Sequence, residues 1–497
     1  MSNLIIIDLS TKISKMNKKS QLLFGALSCF FLHGYAQNEE NRPNIILIMA
    51  DDLGWGDVGF NGNKIIKTPN LDALAKEGTV MDWFYSAAPV SSPTRASVLT
   101  GRHPFRSGVF HANVGILRPE EITLPEILKE KGYTSGHFGK WHLGTLTDKE
   151  KDANRGGSKH PELFNPPSEH GYDEAFVSES KVPTYNPMLC PVKPENRFWD
   201  YSAVLDSSRS FGTHYWNIKS EKVTDNLSGD DSRVIMDRVI PFIDQAVAKN
   251  TPFLSVVWFH APHLPCVAGP EHRAMYQEYE LDKRNYYGCI TALDEQVGRL
   301  VRYLKDRGIY ENTLLFFCSD NGPERDVPGT VGNFKERKRS LHEGGIRVPA
   351  LAVWPGKIKG GKHLSTPCVT SDYLPTIASL LQIPLSHKID GENIMPLLLE
   401  KKDKRQNSIV FCSDVQAAVV DGDYKLYCKK GQYELFHIAK DPYEKNNIIS
   451  VETMISDKMK EKLQSTLKDF QNSFEGEEYG RSSYNRVKQD WHDVMNH

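Results

Sequence analysis

Four stretches of unbroken apolarity, each breaking off into polar or charged residues, constrain this chain more than any other feature. Asn44-Ile45-Ile46-Leu47-Ile48-Met49-Ala50 runs into Asp51-Asp52, and the stretch from Gly132 to Phe138 runs into Gly139-Lys140-Trp141-His142. Phe253 to Phe259 runs into His260-Ala261-Pro262-His263, and Leu314 to Cys318 runs into Ser319-Asp320-Asn321. A strand with one face in water alternates apolar and polar residues. Continuous apolarity marks a strand covered on both faces, as in parallel sheet. Helical patterns lie between these strands. Tyr286 to Arg307 sets Ile290, Leu293, Val297, Leu300 and Leu304 on one face and stops at Gly308. Asp231 to Lys249 opens on the caps Asp230 and Asp231 and carries Pro241 as a kink. Alternating strands and helices predict an open α/β sheet, whose ligands sit beyond the carboxyl ends of its strands. All four polar clusters fall at such ends, so they are expected to converge on one site.

Composition narrows the partners. The 497 residues are 39% hydrophobic and 25% charged, the balance of a globular protein able to bury a sizeable core. With 61 basic against 63 acidic residues there is no positive excess to neutralise a phosphate backbone, which argues against nucleic acid. After residue 36 no apolar run approaches the roughly 18 residues needed to span a bilayer. The first 36 residues read as a secretory signal peptide. Lys18 and Lys19 precede the apolar run Leu22 to Leu32, and Gly34-Tyr35-Ala36 supplies small residues before a cut at Gln37. Met16, just before the basic pair, offers an alternative start. The expected location is periplasmic, and a lipoprotein acylated at Cys29 is the rival, opposed by the apolar Phe30-Phe31-Leu32 that follows it. Seven scattered cysteines then remain, with no CxxC spacing to suggest a metal site.

Asp51, Asp52, Asp320 and Asn321 are hard oxygen donors, suited to Ca²⁺ or Mg²⁺ rather than zinc or copper. One Asp-Asp after a strand is most often a turn or a helix cap; two such pairs, Asp51-Asp52 and Asp320-Asn321, at equivalent strand ends favour a metal. Ser91-Ser92-Pro93-Thr94-Arg95-Ala96-Ser97-Val98-Leu99-Thr100-Gly101-Arg102 reads as a short helix, with Pro93 in its first turn and Gly101 as its stop. Ser91 then lies at a helix N-terminus, which favours an anion, with Arg95 one turn on. The plainer reading makes Ser91 or Ser92 a surface cap. Lys140, His142, His263 and Lys338 would add cationic and proton-carrying groups. A nucleophile, a hard cation, an arginine, lysines and histidines together describe hydrolysis of a charged ester, and sulfate and phosphate esters both fit.

These motifs resemble those of the type I sulfatases, the formylglycine-dependent branch of the alkaline phosphatase superfamily. The signature Cys or Ser, any residue, Pro, any residue, Arg, ending in TGR, stands here as SSPTRASVLTGR at residues 91 to 102. NIILIMADDLGWGDVGF and TPNLDALAKEGTVMDWFY precede it. GHFGKWHLG, FHAPHLP, SDNGP, HEGGIRVPALAVWPG and YKLYCKKGQYELFHIAKDPYEKNNI follow, so the likeness spreads from about residue 42 to 450. The resemblance implies a large mixed, mostly parallel sheet sandwiched by helices, with a small C-terminal subdomain containing an antiparallel sheet. It implies a catalytic domain over 42–400 and the subdomain over 401–497.

By the same resemblance, Ser91 is converted to Cα-formylglycine (3-oxoalanine) and also touches a single calcium held by Asp51, Asp52, Asp320 and Asn321. Arg95, Lys140, His142, His263 and Lys338 match sulfate-binding and proton-transfer positions. Lys338 is placed by counting back from Glu343, with Lys335 close by. His263 is preferred over His260 by its spacing to Pro265. A serine in the first position implies an anaerobic radical sulfatase-maturating enzyme as partner. The segment from Gly144 to Gly229 resembles the family's variable substrate lobes. His111, Asn113, Arg118, Trp199, Asp200, His214 and Trp216 are candidate sugar contacts. The substrate implied is a sulfated mono- or oligosaccharide, cleaved by an exo-acting O-sulfatase of host glycans. A phosphomonoester or phosphonate hydrolase of the same superfamily and an unmodified glycan-binding pseudoenzyme remain the alternatives. From about Ser408, short strands joined by turns precede a charged helix from Val451 to Asn472, and the last twenty residues are expected to be loosely ordered.

Overall fold

The computed structural model describes residues 42–192, 205–480 and 486–495. The signal peptide with Cys29 and the candidates Trp199 and Asp200 lie outside the described residues. From Asn44 on, the chain forms one compact unit built on a nine-stranded sheet. Its central strands are Thr313–Ser319, Asn44–Ala50, Phe253–Trp258, Thr134–Lys140 and Glu174–Ser178, in that spatial order and all parallel. Ala350–Val353 and Tyr215–Asn217 flank them antiparallel, and Thr79–Met81 and Lys362–Leu364 complete one edge.

The unbroken apolarity has the cause expected of it. Successive side chains of a strand point to opposite faces, and both faces here are covered. Ile45, Leu47 and Met49 belong to one core with Leu254, Val256, Leu314 and Phe316. Ile46, Ile48 and Ala50 belong to the other, with Val257, Leu315 and Phe317. Helices Pro69–Glu77, Asp231–Ala248 and Leu281–Asp306 cover the second face. Helices Ser91–Thr100, Leu124–Lys129 and Tyr373–Leu380 cover the first. The longest helix starts at Leu281 rather than Tyr286. Its first turn is solvent-facing, so it carries no apolar stripe to reveal it.

The segment 144–229 is less separate than its composition suggests, because Glu174–Ser178 and Tyr215–Asn217 join the main sheet. Near the C-terminus, Ile409–Ser413, Gln416–Asp421, Tyr424–Lys429 and Gln432–Phe436 form a four-stranded antiparallel meander. Its two faces are both apolar. Val410, Cys412, Val419, Leu426 and Leu435 pack on the helix Thr453–Phe474 through Met459, Leu463 and Phe470. Phe411, Ala418, Val420 and Phe436 pack on Trp83, Tyr85 and Ile346 of the main body. Of the last twenty residues, part of the described stretch 486–495 is packed rather than loose: Val494 is buried, and the Trp491 ring sits against Phe105, Phe110 and Phe474. No helix of the described residues is long and apolar enough to cross a membrane.

Candidate functional site

The four strand ends do meet, and each brings its polar cluster. After Ala50 the chain turns through Asp51 and Asp52, the latter in the left-handed region at φ 64°. The amide of Asp52 donates to Asp320 Oδ1 at 3.0 Å, and Asn321 Nδ2 donates to Asp52 Oδ1 at 2.6 Å. The amide of Leu53 donates to Ser319 Oγ at 2.9 Å, which locks the two neighbouring strand ends together. All four oxygen-bearing residues are buried.

Helix Ser91–Thr100 is buried along its whole length, closed at Gly101 in the left-handed conformation. Val90 occupies its N-cap with no side-chain bond, so neither Ser91 nor Ser92 is a cap. The Ser91 hydroxyl instead donates to Asp51 Oδ1 at 3.2 Å and accepts from Lys140 Nζ at 3.3 Å. Lys140 Nζ also lies 2.6 Å from Asp51 Oδ2. Arg95, one turn on, is wholly buried. Its Nη2 reaches Asp320 Oδ2 at 2.9 Å and Asp51 Oδ2 at 3.5 Å, and its guanidinium lies 5.0 Å from the centre of the Trp258 ring. Trp258 closes its strand just before His260, and the sequence reading did not single it out. A tryptophan at the end of an apolar run looks like core and is core, but its face also carries the arginine.

The two lysines point in different directions. Lys338 Nζ lies 2.6 and 2.7 Å from the two oxygens of Asp52. Lys335 points to the C-terminal meander, 3.8 Å from Glu434 Oε2 and over the Phe436 ring. The two histidines of FHAPHLP separate just as clearly. His263 Nε2 is 3.6 Å from Asp52 Oδ2. His260 is fully buried with Nδ1 2.8 Å from Asp231 Oδ2 and Nε2 2.7 Å from Ser178 Oγ. Tyr215 donates to the other oxygen of Asp231 at 2.6 Å. This buried network ties the strand ends that carry Ser178, Tyr215 and Trp258, and it anchors the loop leading to His263.

Burial would push every carboxyl here upward, and the cations decide which resist. Asp51 is held well below the ordinary carboxylate range because Lys140, His263, Arg95 and Lys338 overcome its burial. Asp52 is raised by burial and by Asp51 despite Lys338. Asp320 is pushed up to about 7 by burial and by the charge of Asp51. Burial and then the neighbouring cations hold His142 well below its ordinary value, and burial does the same for His263. A carboxylate oxygen from each of Asp51 and Asp52 and a ring nitrogen of His263 lie within 4.8 Å of one another. Asn321 Oδ1 is buried with no hydrogen-bond partner. Asp51 and Asp52 supply the carboxylate oxygens of that group, Asp320 stands behind them on the Asp52 amide, and hard oxygen donors of this kind, with the unpartnered Asn321 oxygen, suit a hard divalent cation.

The candidate sugar contacts divide. Asn113 stands beside the site, its Oδ1 3.0 Å from His142 Nε2. His111, in the same turn, is partly buried and feels the charges of Arg339, Asp414 and Lys338. His214 is partly exposed, with Nδ1 2.8 Å from Asp152 Oδ1. Trp216 is buried, with its Nε1 donating to Asp152 Oδ2 at 3.0 Å, so it packs and does not present a face to a ligand. Arg118 is buried too, donating to the carbonyl of Phe474 at 3.0 Å with its guanidinium over that ring. It holds the C-terminal helix. Both are buried against partners inside the protein. Residues the sequence reading passed over stand nearer. Arg155 bridges Glu179 Oε1 at 3.2 Å and the Gly115 carbonyl at 2.8 Å, and Glu324 pairs with Arg339 beside Lys338.

Comparison with known proteins follows the same lines. A family model described as "Sulfatase" matches residues 43–383, and one described as "N-sulphoglucosamine sulphohydrolase, C-terminal" matches residues 329–473. The dog N-acetylgalactosamine-6-sulfatase is 34% identical over 405 residues, covering 78% of this chain and 71% of that protein. Mouse arylsulfatase G is 32% identical over 432 residues, covering 80% of this chain and 76% of that protein. Among solved structures, that of Ps i-CgsB in complex with k-i-k-neocarrahexaose superposes with a TM-score of 0.72 at 29% identity. It covers 89% of this chain and 94% of that one.

Proposed function

The chain belongs to the sulfatase family and is a sulfuric ester hydrolase; from that premise we propose that it removes O-sulfate groups from sulfated host-glycan sugars, acting from chain ends. The units would be galactose, N-acetylgalactosamine or glucosamine, as in mucin or glycosaminoglycan. Support comes from relatives named N-acetylgalactosamine-6-sulfatase and from a structural neighbour in complex with k-i-k-neocarrahexaose. An exported, periplasmic enzyme fits this substrate.

One observation carries the reading. A serine at the head of a fully buried helix has its hydroxyl between an aspartate and a lysine, with a buried arginine one turn below. Nothing in a merely structural helix start calls for that much charge. Ser91, in our reading, is oxidised by an anaerobic radical maturase to formylglycine, whose hydrate supplies a nucleophilic hydroxyl and a second hydroxyl for release. Asp51, Asp52, Asp320 and Asn321 would hold a calcium ion, which supplies positive charge to the sulfuryl oxygens and to residue 91. Arg95, Lys140 and Lys338 are preorganised cations around that point and stabilise charge as it shifts onto the transferring group. His263, beside Asp52, would with Lys338 supply the proton that the departing sugar oxygen needs, the charge of Asp51 favouring its protonated form against burial. His142 receives a proton from residue 91.

The test uses protein from a host with the maturase. The peptide covering Ser91 is expected to be lighter by two hydrogen atoms, and a panel of sulfate and phosphate esters is expected to show sulfate preferred. Purified Ser91→Ala should be folded and inactive. Preference for phosphate would favour the phosphatase alternative, and an unmodified serine in active-host protein would favour a glycan binder.

A further inference from the structure

His142 is held more tightly than its neighbours in the site require. Its backbone sits in the left-handed region at φ 58°, a conformation that costs free energy in a non-glycine residue and persists only where the surroundings impose it. Its amide donates to the Glu179 carbonyl at 2.9 Å. Its Nε2 lies 3.0 Å from Asn113 Oδ1. A carboxamide oxygen can only accept, so Nε2 carries the ring hydrogen and Nδ1 carries the lone pair. That Nδ1 is buried and has no partner among the described residues. Orphaned buried acceptors are rare and call for an explanation.

Asn113 is itself placed by a dedicated turn. It lies at φ 61°, which asparagine tolerates better than most residues, inside a turn closed by the Val114 amide donating to His111 O at 3.1 Å. Arg155 completes a circuit: one nitrogen holds the Gly115 carbonyl at the end of that turn, another holds Glu179 Oε1, and the Glu179 carbonyl takes the His142 amide. Two separate contacts on His142 are thus braced by one arginine.

We propose that Asn113 is a positioning residue that sets the tautomer of His142 and leaves Nδ1 as the basic atom that accepts a proton from a hydroxyl of residue 91. The inference rests on the role given to residue 91 above. In the step, the O–H bond breaks, its electron pair stays on oxygen, and the proton goes to Nδ1, giving an imidazolium whose Nε2–H still donates to Asn113. Loss of that proton to water restores the neutral ring. Burial, Lys140, Arg95 and Arg155 favour the neutral ring beforehand, with Asp51 opposing.

The tautomer is read directly by nitrogen NMR of protein labelled with ¹⁵N-histidine, the His142 signals being assigned by their loss in His142→Gln. The unmatured protein suffices. The wild type is expected to show a protonated Nε2 and an unprotonated Nδ1. Asn113→Gly, which suits the left-handed backbone and removes only the acceptor, should lose that signature, and Asn113→Asp should restore it. In matured protein, Asn113→Gly should lower kcat by about 10²-fold with little change in KM, and Asn113→Asp should recover most of it. A wild-type-like tautomer in Asn113→Gly, or kcat and KM changing together without rescue by Asp, overturns the proposal. Failure of the matured wild type to cleave any sulfate ester would overturn the reading of the preceding section, while the NMR result would still decide the tautomer.

Discussion

Replacing Lys425 with methionine should be among the most damaging single changes far from the site. Lys425 is fully buried in the C-terminal meander, with Nζ 2.8 Å from Glu343 Oε1 and 3.1 Å from Glu444 Oε1. At an effective dielectric constant of about 20 those contacts amount to about 6 and about 5 kcal/mol of Coulomb attraction, much of it offset by the desolvation of three charges. Methionine keeps the shape and leaves two buried carboxylates. Glu343 retains Arg347 at 3.2 Å and the Tyr85 hydroxyl, and Glu444 retains, among the described residues, His342 at 3.0 Å and the Glu343 amide. Removing one member of such a group costs about 3–5 kcal/mol.

The pH dependence bears on the same cluster as a whole. Lys425, His342 and the Glu343 amide hold Glu444 at about 2 against its burial, compared with an ordinary 4.5. Its folded value is depressed, so its contribution is complete above about 4.5 and disappears as pH falls toward 2. That difference corresponds to about 3 kcal/mol. Urea unfolding of wild type and Lys425→Met at pH 7 should therefore differ by about 3–5 kcal/mol, with the gap closing as pH falls through that window. Lys425→Met/Glu444→Gln should recover part of the loss, because no unpaired charge then remains at residue 444. A loss under about 1 kcal/mol, or a gap that does not change with pH, would refute the reasoning.

Two further measurements bear on the site. Calcium at a hundredfold excess over its Kd should stabilise the protein by about 2.7 kcal/mol and raise its Tm, and Asp52→Asn should abolish the shift. A wild type insensitive to calcium after chelation would count against the ligand set. His263→Ala should slow cleavage of sugar sulfates by about 10²–10⁴-fold but spare activated aryl sulfates, whose leaving oxygen departs without a proton. An equal loss on both would mean that His263 does something other than protonate the leaving group.

The fold was legible because its central strands are buried on both faces. The apolar run NIILIMA had to end where the sheet ends, and the residues after it had to lie at the sheet's carboxyl edge. The meeting of Asp51, Asp52, Asp320 and Asn321 follows from parallel register alone: Ala50 pairs with Ser319, so the next residues on both strands emerge side by side. The same logic brings in Lys140, because its strand pairs with Phe253–Trp258, the neighbour of the first strand. Helix ends were read less well. The first turn of Leu281–Asp306 faces solvent, its one apolar residue Leu281 included, so the periodic signal starts only where burial does.

Direction in the loops could not be read, and the reason is physical. A strand or helix has a period that assigns each side chain to a face; a loop has none. Arg118 and Asn113 sit in irregular chain and Trp216 in a three-residue strand too short to show a period, and all three looked alike as sugar contacts. Trp216 and Arg118 turn inward, where Asp152 accepts from the indole N–H and the Phe474 carbonyl accepts from one guanidinium nitrogen. Asn113 turns toward His142, because the 111–115 turn reverses its backbone there. The same limit hides the long-range polar partners. Glu179 and Arg155 stand 24 residues apart and Lys425 and Glu343 stand 82 apart, and no local pattern in either sequence neighbourhood names the other. A buried charge must nevertheless find its counter-charge. A lysine such as Lys425, placed at an otherwise apolar strand position, therefore signals that a carboxylate lies opposite, although only the tertiary fold identifies it as Glu343 and Glu444.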